Sequence, residues 1–138
     1  AVSDFNNSRI QVVSTEPGVA AKALLTHQLL LYPSDVCQLG DGRIVAVPYM
    51  QRKGRDILAG SSKVLIFPAV SSQHGTGALH VDPESTVKRM MVGAHAMPVA
   101  CKTDRDGQNV VVADRVARTV TVHDTRKAGT QARKSCKV

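Results

Sequence analysis

The chain has 138 residues, a formal net charge of +7, two Tyr, two Phe and no Trp. That length suits one domain with a real core, filled by Val, Leu, Ile, Ala and Met rather than by aromatic rings. No apolar run reaches the roughly 18–20 residues of a membrane helix, and the opening AVSDFNNSRI has neither the basic region nor the apolar core of a secretory signal.

In chain order, residues 9–13 (RIQVV) read as a first short strand. Ser14, Thr15 and Pro17 then look like a helix start, with a capping hydroxyl and a proline at the first turn. Residues 19–32 place Ala20, Ala23, Leu24, His27, Leu30 and Leu31 on one helical face, so a buried helix ending at Pro33 is expected, with a strand over 29–32 as the alternative. Gly40-Asp41-Gly42 is a turn into a strand over 43–47, which Pro48 should end or confine to an edge. Residues 51–55 (QRKGR) form a basic loop, 63–67 (KVLIF) a strand closed by Pro68, 71–77 a loop and 78–81 a short strand. Asp82-Pro83-Glu84-Ser85 has the capping acid and first-turn proline of a second helix, with Val87, Met90 and Met91 as its buried stripe and Gly93 as its stop.

The stretch from Met97 to Asp124 carries the clearest pattern. Asp106-Gly107 is a two-residue turn signal. It pairs Thr103 with Val110 and Cys101 with Val112, so Val99, Cys101, Thr103, Val110 and Val112 share one sheet face. Ala100, Lys102, Val111 and Ala113 take the other. A third strand follows, with Val120 and Val122 alternating with polar residues. The expected core layer is Val99, Cys101, Val110, Val112, Val120 and Val122 under the 19–31 helix. The expected fold class is therefore α+β: a single domain over residues 1–125 dominated by antiparallel sheet of six to seven short strands, with one or two helices. An irregular basic tail occupies residues 126–138.

Chemistry-bearing motifs are sparse. The cysteines, Cys37, Cys101 and Cys136, form no CxxC pair and read as free thiols in a reducing, intracellular compartment. His27, His74, His80, His95 and His123 show no metal-ligand spacing, so neither metal nor cofactor is expected. Cys101 with His95 or His80 is the one arrangement a Cys-dependent hydrolase or transferase could use, although the hairpin register turns that thiol inward. Asp104 and Asp106 flank a turn and serve its backbone. No phosphate-cradling glycine loop is present.

Charge is the functional signal. Residues 1–114 carry 11 Lys/Arg against 10 Asp/Glu, whereas residues 115–138 carry seven against one. Arg115, Arg118, Arg126, Lys127, Arg133, Lys134 and Lys137, with Arg52, Lys53 and Arg55 of the basic loop, are the candidate contacts to a polyanion, RNA or DNA, or to an acidic protein surface. The resulting expectation is a non-enzymatic structural or adaptor subunit of a larger assembly, with a self-assembling capsid-type protein as its variant and the Cys/His enzyme as the alternative.

Overall fold

The computed structural model describes residues 1–15, 17, 22–27, 30–53, 55–60, 63–72, 79–81, 87–91, 97–126 and 134–137. Strands account for most of them: β1 (Val2–Asp4), β2 (Arg9–Val13), β3 (Lys22–Thr26), β4 (Leu31–Gln38), β5 (Ile44–Lys53), β6 (Asp56–Ala59), β7 (Lys63–Phe67), β8 (Val70–Ser72), β9 (Leu79–Val81), β10 (Lys88–Met91), β11 (Pro98–Thr103), β12 (Asn109–Asp114), β13 (Thr119–Asp124) and β14 (Lys134–Lys137). A single 3-10 turn, Phe5–Asn7, is the only helical segment among the described residues.

The strands build three main antiparallel sheets, ordered β1-β2-β3, β10-β7-β5-β4 and β11-β12-β13-β14, with β6 extending β5 and a small β8-β9 ribbon. The second sheet is the middle layer. One of its faces, carrying Val45, Val47, Val64, Ile66 and Met90, packs on Cys101, Val110 and Val112 of the C-terminal sheet. Its other face, carrying Ile44, Ala46, Leu65 and Phe67, packs on Ile10 and Leu25 of the N-terminal sheet. A strand covered on both sides has no polar face to offer, which is why Ile44-Val45-Ala46-Val47 and Val64-Leu65-Ile66-Phe67 are unbroken apolar runs.

Among the described residues this architecture is β throughout apart from the 3-10 turn, not α+β, and the described parts of both expected helices are mainly strand. Residues 22–26 are a strand paired with β2, Ile10 opposite Leu25 and Val12 opposite Ala23. Residues 31–38 are a strand paired with β5. Of the leucines that mimicked a helical stripe, Leu30 is buried just before β4, whereas Leu24 is 49% exposed on β3 and its neighbour Leu25 faces the core instead. The second helix fails in the same way: Lys88–Met91 pairs with β7, Met90 facing the core, and the cap at 82–86 lies outside the described residues. Pro48 does not end its strand, because it sits opposite Pro33 at a register shift, where neither ring is asked for a ladder N–H. Residues 51–53 belong to β5 and 56–59 to β6, so the basic loop is a hairpin. The tail is not wholly irregular either, since Lys134–Lys137 pairs with β13.

In the C-terminal sheet the expected register is present, with Cys101 opposite Val112 and Thr103 opposite Val110. The turn differs. Asp104 N–H donates to Asn109 O at 3.1 Å and Gly107 N–H to Asp104 O at 3.0 Å, and only Gly107 has a positive φ, +66°. Residues 105–108 therefore form a four-residue loop that leaves the same partners opposed. The expected core layer needs three corrections. A register shift between Pro98 and Ala100 turns Pro98 inward and Val99 away. Val110 faces His123 and Val112 faces Thr121, which puts Val120 and Val122 on the outer face with Ala113 and Val111. The cover is the middle sheet rather than residues 19–31.

Candidate interaction surface

The C-terminal sheet repeats one device. Asp104, Asp114 and Asp124 stand ten residues apart, one at the end of each strand or just beyond it, and each carboxylate collects N–H groups of the chain reversal that follows. Asp104 accepts from Gln108 N–H and Asn109 N–H, both at 3.0 Å, and from the Asn109 side-chain amide, which does most to hold it below the usual carboxylate range. Asp114, itself buried, accepts from Ala117 N–H at 2.7 Å and from Met97 N–H at 2.8 Å. Asp124 accepts from Arg126 N–H at 3.0 Å. Apart from the Met97 bond, which spans 17 residues, these are local side-chain bonds that replace ladder partners where strands end.

The turn that Asp114 holds, residues 115–118 (RVAR), is the outstanding surface feature. Arg115 and Arg118 are exposed and have no acidic partner among the described residues. Val116 between them is 62% exposed. Arg118 is in the left-handed region at φ 52°, a conformation that costs a side-chain-bearing residue energy and that the Asp114 bonds and the Arg115 N–H to Met97 O bond at 3.1 Å help fix. Beside the turn, Val99, Ala113 and Val120 floor a shallow depression that the two arginines border. Pairing of β13 with β14 brings Lys137 opposite Thr119, so a third, exposed cation lies next to Arg118.

The other expected contacts separate into different places. Arg126 follows β13 at its far end, roughly 20 Å away for six extended residues. There it is bidentate to Asp124, Nε to Oδ1 at 3.0 Å and Nη2 to Oδ2 at 3.2 Å, and the nearly buried Asp124 carboxylate raises its pKa. Arg43 sits in the same crevice as Arg126, donating to Asp41 at 2.7 Å and to Thr125 O and Oγ1 at 3.3 and 3.1 Å. These guanidinium groups are already neutralised and tie turns together. Lys134 pairs with Val122 in β14. Arg52 and Lys53 end β5, opposite Ile57 and Asp56, and Arg55 is exposed in that turn. Lys127 and Arg133 lie outside the described residues.

For nucleophilic chemistry, Cys101 is 1% exposed, and its sulfur lies 3.8 Å from Val45 O. A hydrogen bond to Cys37 and burial push its pKa far up. His74 and His95, and the side chain of His80, lie outside the described residues. His27 is half-buried, and its pKa is lowered by burial and then by Arg89. His123 is buried on the inner face, its Nε2 2.8 Å from Thr121 Oγ1, and Nδ1 has no hydrogen-bond partner among the described residues. Among the described residues no three His, Cys, Asp or Glu side chains converge as a metal site, and no helix is long and apolar enough to cross a membrane.

Charge counting pointed to Arg115 and Arg118 but not to what makes them a surface. The ten-residue recurrence of Asp was the signal for the supporting carboxylate. The apolar floor was hidden, because Val99 and Val120 read as core until the bulge and the β12–β13 register are known. Comparison with known proteins finds no matching family model and no matching curated protein.

Proposed function

We propose that this chain is a non-enzymatic structural or adaptor subunit of a larger assembly, docking through the 115–118 turn onto an acidic protein surface. One observation carries the reading: an exposed Val116 between two arginines that have no acidic partner among the described residues and that border an apolar depression. Protein interfaces combine an apolar centre with an arginine-rich rim. A phosphate backbone would engage Arg115, Arg118 and Lys137 but would leave Val116 and the Val99–Val120 floor without a partner. In the capsid-type variant the acidic surface belongs to a second copy. The burial of Cys101 and its raised pKa support the non-enzymatic side of the reading.

The test is a native mass measurement on the protein isolated from its source, with and without nuclease, beside an R115E/R118E variant. The expected result is an assembly that survives nuclease and is lost in the variant. Loss on nuclease treatment would transfer the surface to RNA or DNA, whose binding through three cations should show a log-affinity against log-salt slope of about −3 for duplex. A monomer under every condition would sink the assembly reading.

A further inference from the structure

We infer that Cys37 and Cys101 form a reversible dithiol–disulfide couple that can staple the middle sheet to the C-terminal sheet. The two cysteines belong to strands that face each other across the core, β4 and β11. Cys101 N–H donates to Asp35 Oδ2 at 2.9 Å, two residues before Cys37 on β4. Cys101 Sγ lies 3.8 Å from the carbonyl of Val45, and Val45 is the strand partner of Cys37. Cys37 packs against the cluster that contains Cys101, and the two thiols are close enough for each to shift the other's pKa.

The couple is asymmetric in the way thiol–disulfide exchange requires. β4 is an edge strand, and Cys37 is only half-buried, so an oxidant can reach it. The hydrogen bond from Cys101 lowers the Cys37 pKa, which makes it the attacking thiolate, while Cys101 stays protonated. With a low-molecular-weight disulfide as oxidant, Cys37 S⁻ attacks one sulfur, forms a mixed disulfide and releases one thiolate. That thiolate takes the Cys101 proton. The Cys101 sulfur then attacks Cys37 Sγ and expels the second thiolate, so two protein thiols are oxidised and one small disulfide is reduced to two thiols. Cys136, exposed on β14 opposite Val120, takes no part.

The experiment uses the full chain carrying C136S, equilibrated with oxidised and reduced glutathione at several ratios and read by intact mass and peptide mapping. The expected product has lost two hydrogens, contains a Cys37–Cys101 cross-linked peptide, reverts with dithiothreitol and unfolds at higher urea than the reduced form. C37S in the same background should form no cross-link and leave Cys101 unmodified while its circular dichroism stays native. A glutathione adduct that persists on Cys37, a cross-link that forms only in urea, or an unchanged mass in folded protein would each overturn the couple.

Discussion

His123 is a histidine enclosed on the inner face of a sheet, and burial alone lowers its pKa from the ordinary 6.5. Protonating it in the folded state would place a charge among Val110, Val112 and Thr121. In the unfolded chain it takes up its proton near 6.5. Between that value and the lower folded one the unfolded state binds more protons, so stability holds above about pH 6.5 and declines as pH falls through that window. His27, lowered by burial and by Arg89, pushes in the same direction. Urea midpoints from pH 8 to 5 should show the decline in the parent chain and a shallower one in H123Q; an unaltered slope would put the titration elsewhere. Gly107 makes a second residue-scale case. Its N–H closes its own turn on Asp104 O at 3.0 Å, and its C=O ties that turn to another, accepting from Gly40 N–H at 2.8 Å. A Cβ there would lie 2.7 Å from both Gly40 Cα and Gly40 N, on a backbone at φ +66°. Backbone atoms cannot swing aside, so G107A should cost about 1–3 kcal/mol or more in a denaturant melt. At Gly40 a Cβ would meet nothing nearer than 3.4 Å, and G40A should be milder.

Strand register decides what each valine of the C-terminal sheet is worth. Val112 is fully buried against the middle sheet, whereas Val122, one strand position from the inward-facing His123, lies on the outer side and is partly exposed. V112A should therefore lose roughly 1–3 kcal/mol of unfolding free energy, below the usual range for Leu→Ala, and V122A clearly less. Equal losses would contradict the β12–β13 pairing. That pairing also marks where sequence reasoning stopped. Strand β2, strand β7 and the Cys101–Val112 register were legible because each is short, bounded by turn or proline signals, and patterned in a single way. The Val120/Val122 assignment was not, because the four-residue link at 115–118 fixes the offset between strands, and alternation alone does not show which phase faces inward. The supposed helix over 19–32 failed for a related reason. Leu24-Leu25 and Leu29-Leu30-Leu31 satisfy a 3.6-residue period and a pair of half-buried strands equally well, and packing on both faces of a middle sheet makes apolar strands common in this fold.

At the scale of the whole molecule the question is how the sandwich ends. A three-layer β protein has several strand edges, and an open edge invites pairing with another chain. On the C-terminal side the edge is β14, whose Thr119–Lys137, Val120–Cys136, Thr121–Ser135 and Val122–Lys134 partners cover most of β13. Lysines at both ends of a four-residue edge strand are a common means of discouraging further addition. The basic C-terminus then has a role that charge counting alone does not suggest: it closes the sheet as well as displaying Lys137 beside Arg118. The two roles can be separated. Ending the chain after Arg126 removes the cations and uncovers β13, a Thr-Val-Thr-Val strand with unpaired backbone groups. K134E/K137E reverses the charge and keeps the strand. Sedimentation velocity at rising concentration should show the truncated chain self-associating beyond the parent, while K134E/K137E sediments as the parent does apart from any loss of its acidic partner. If the truncated chain sediments like the parent at every concentration, β14 is not what protects that edge.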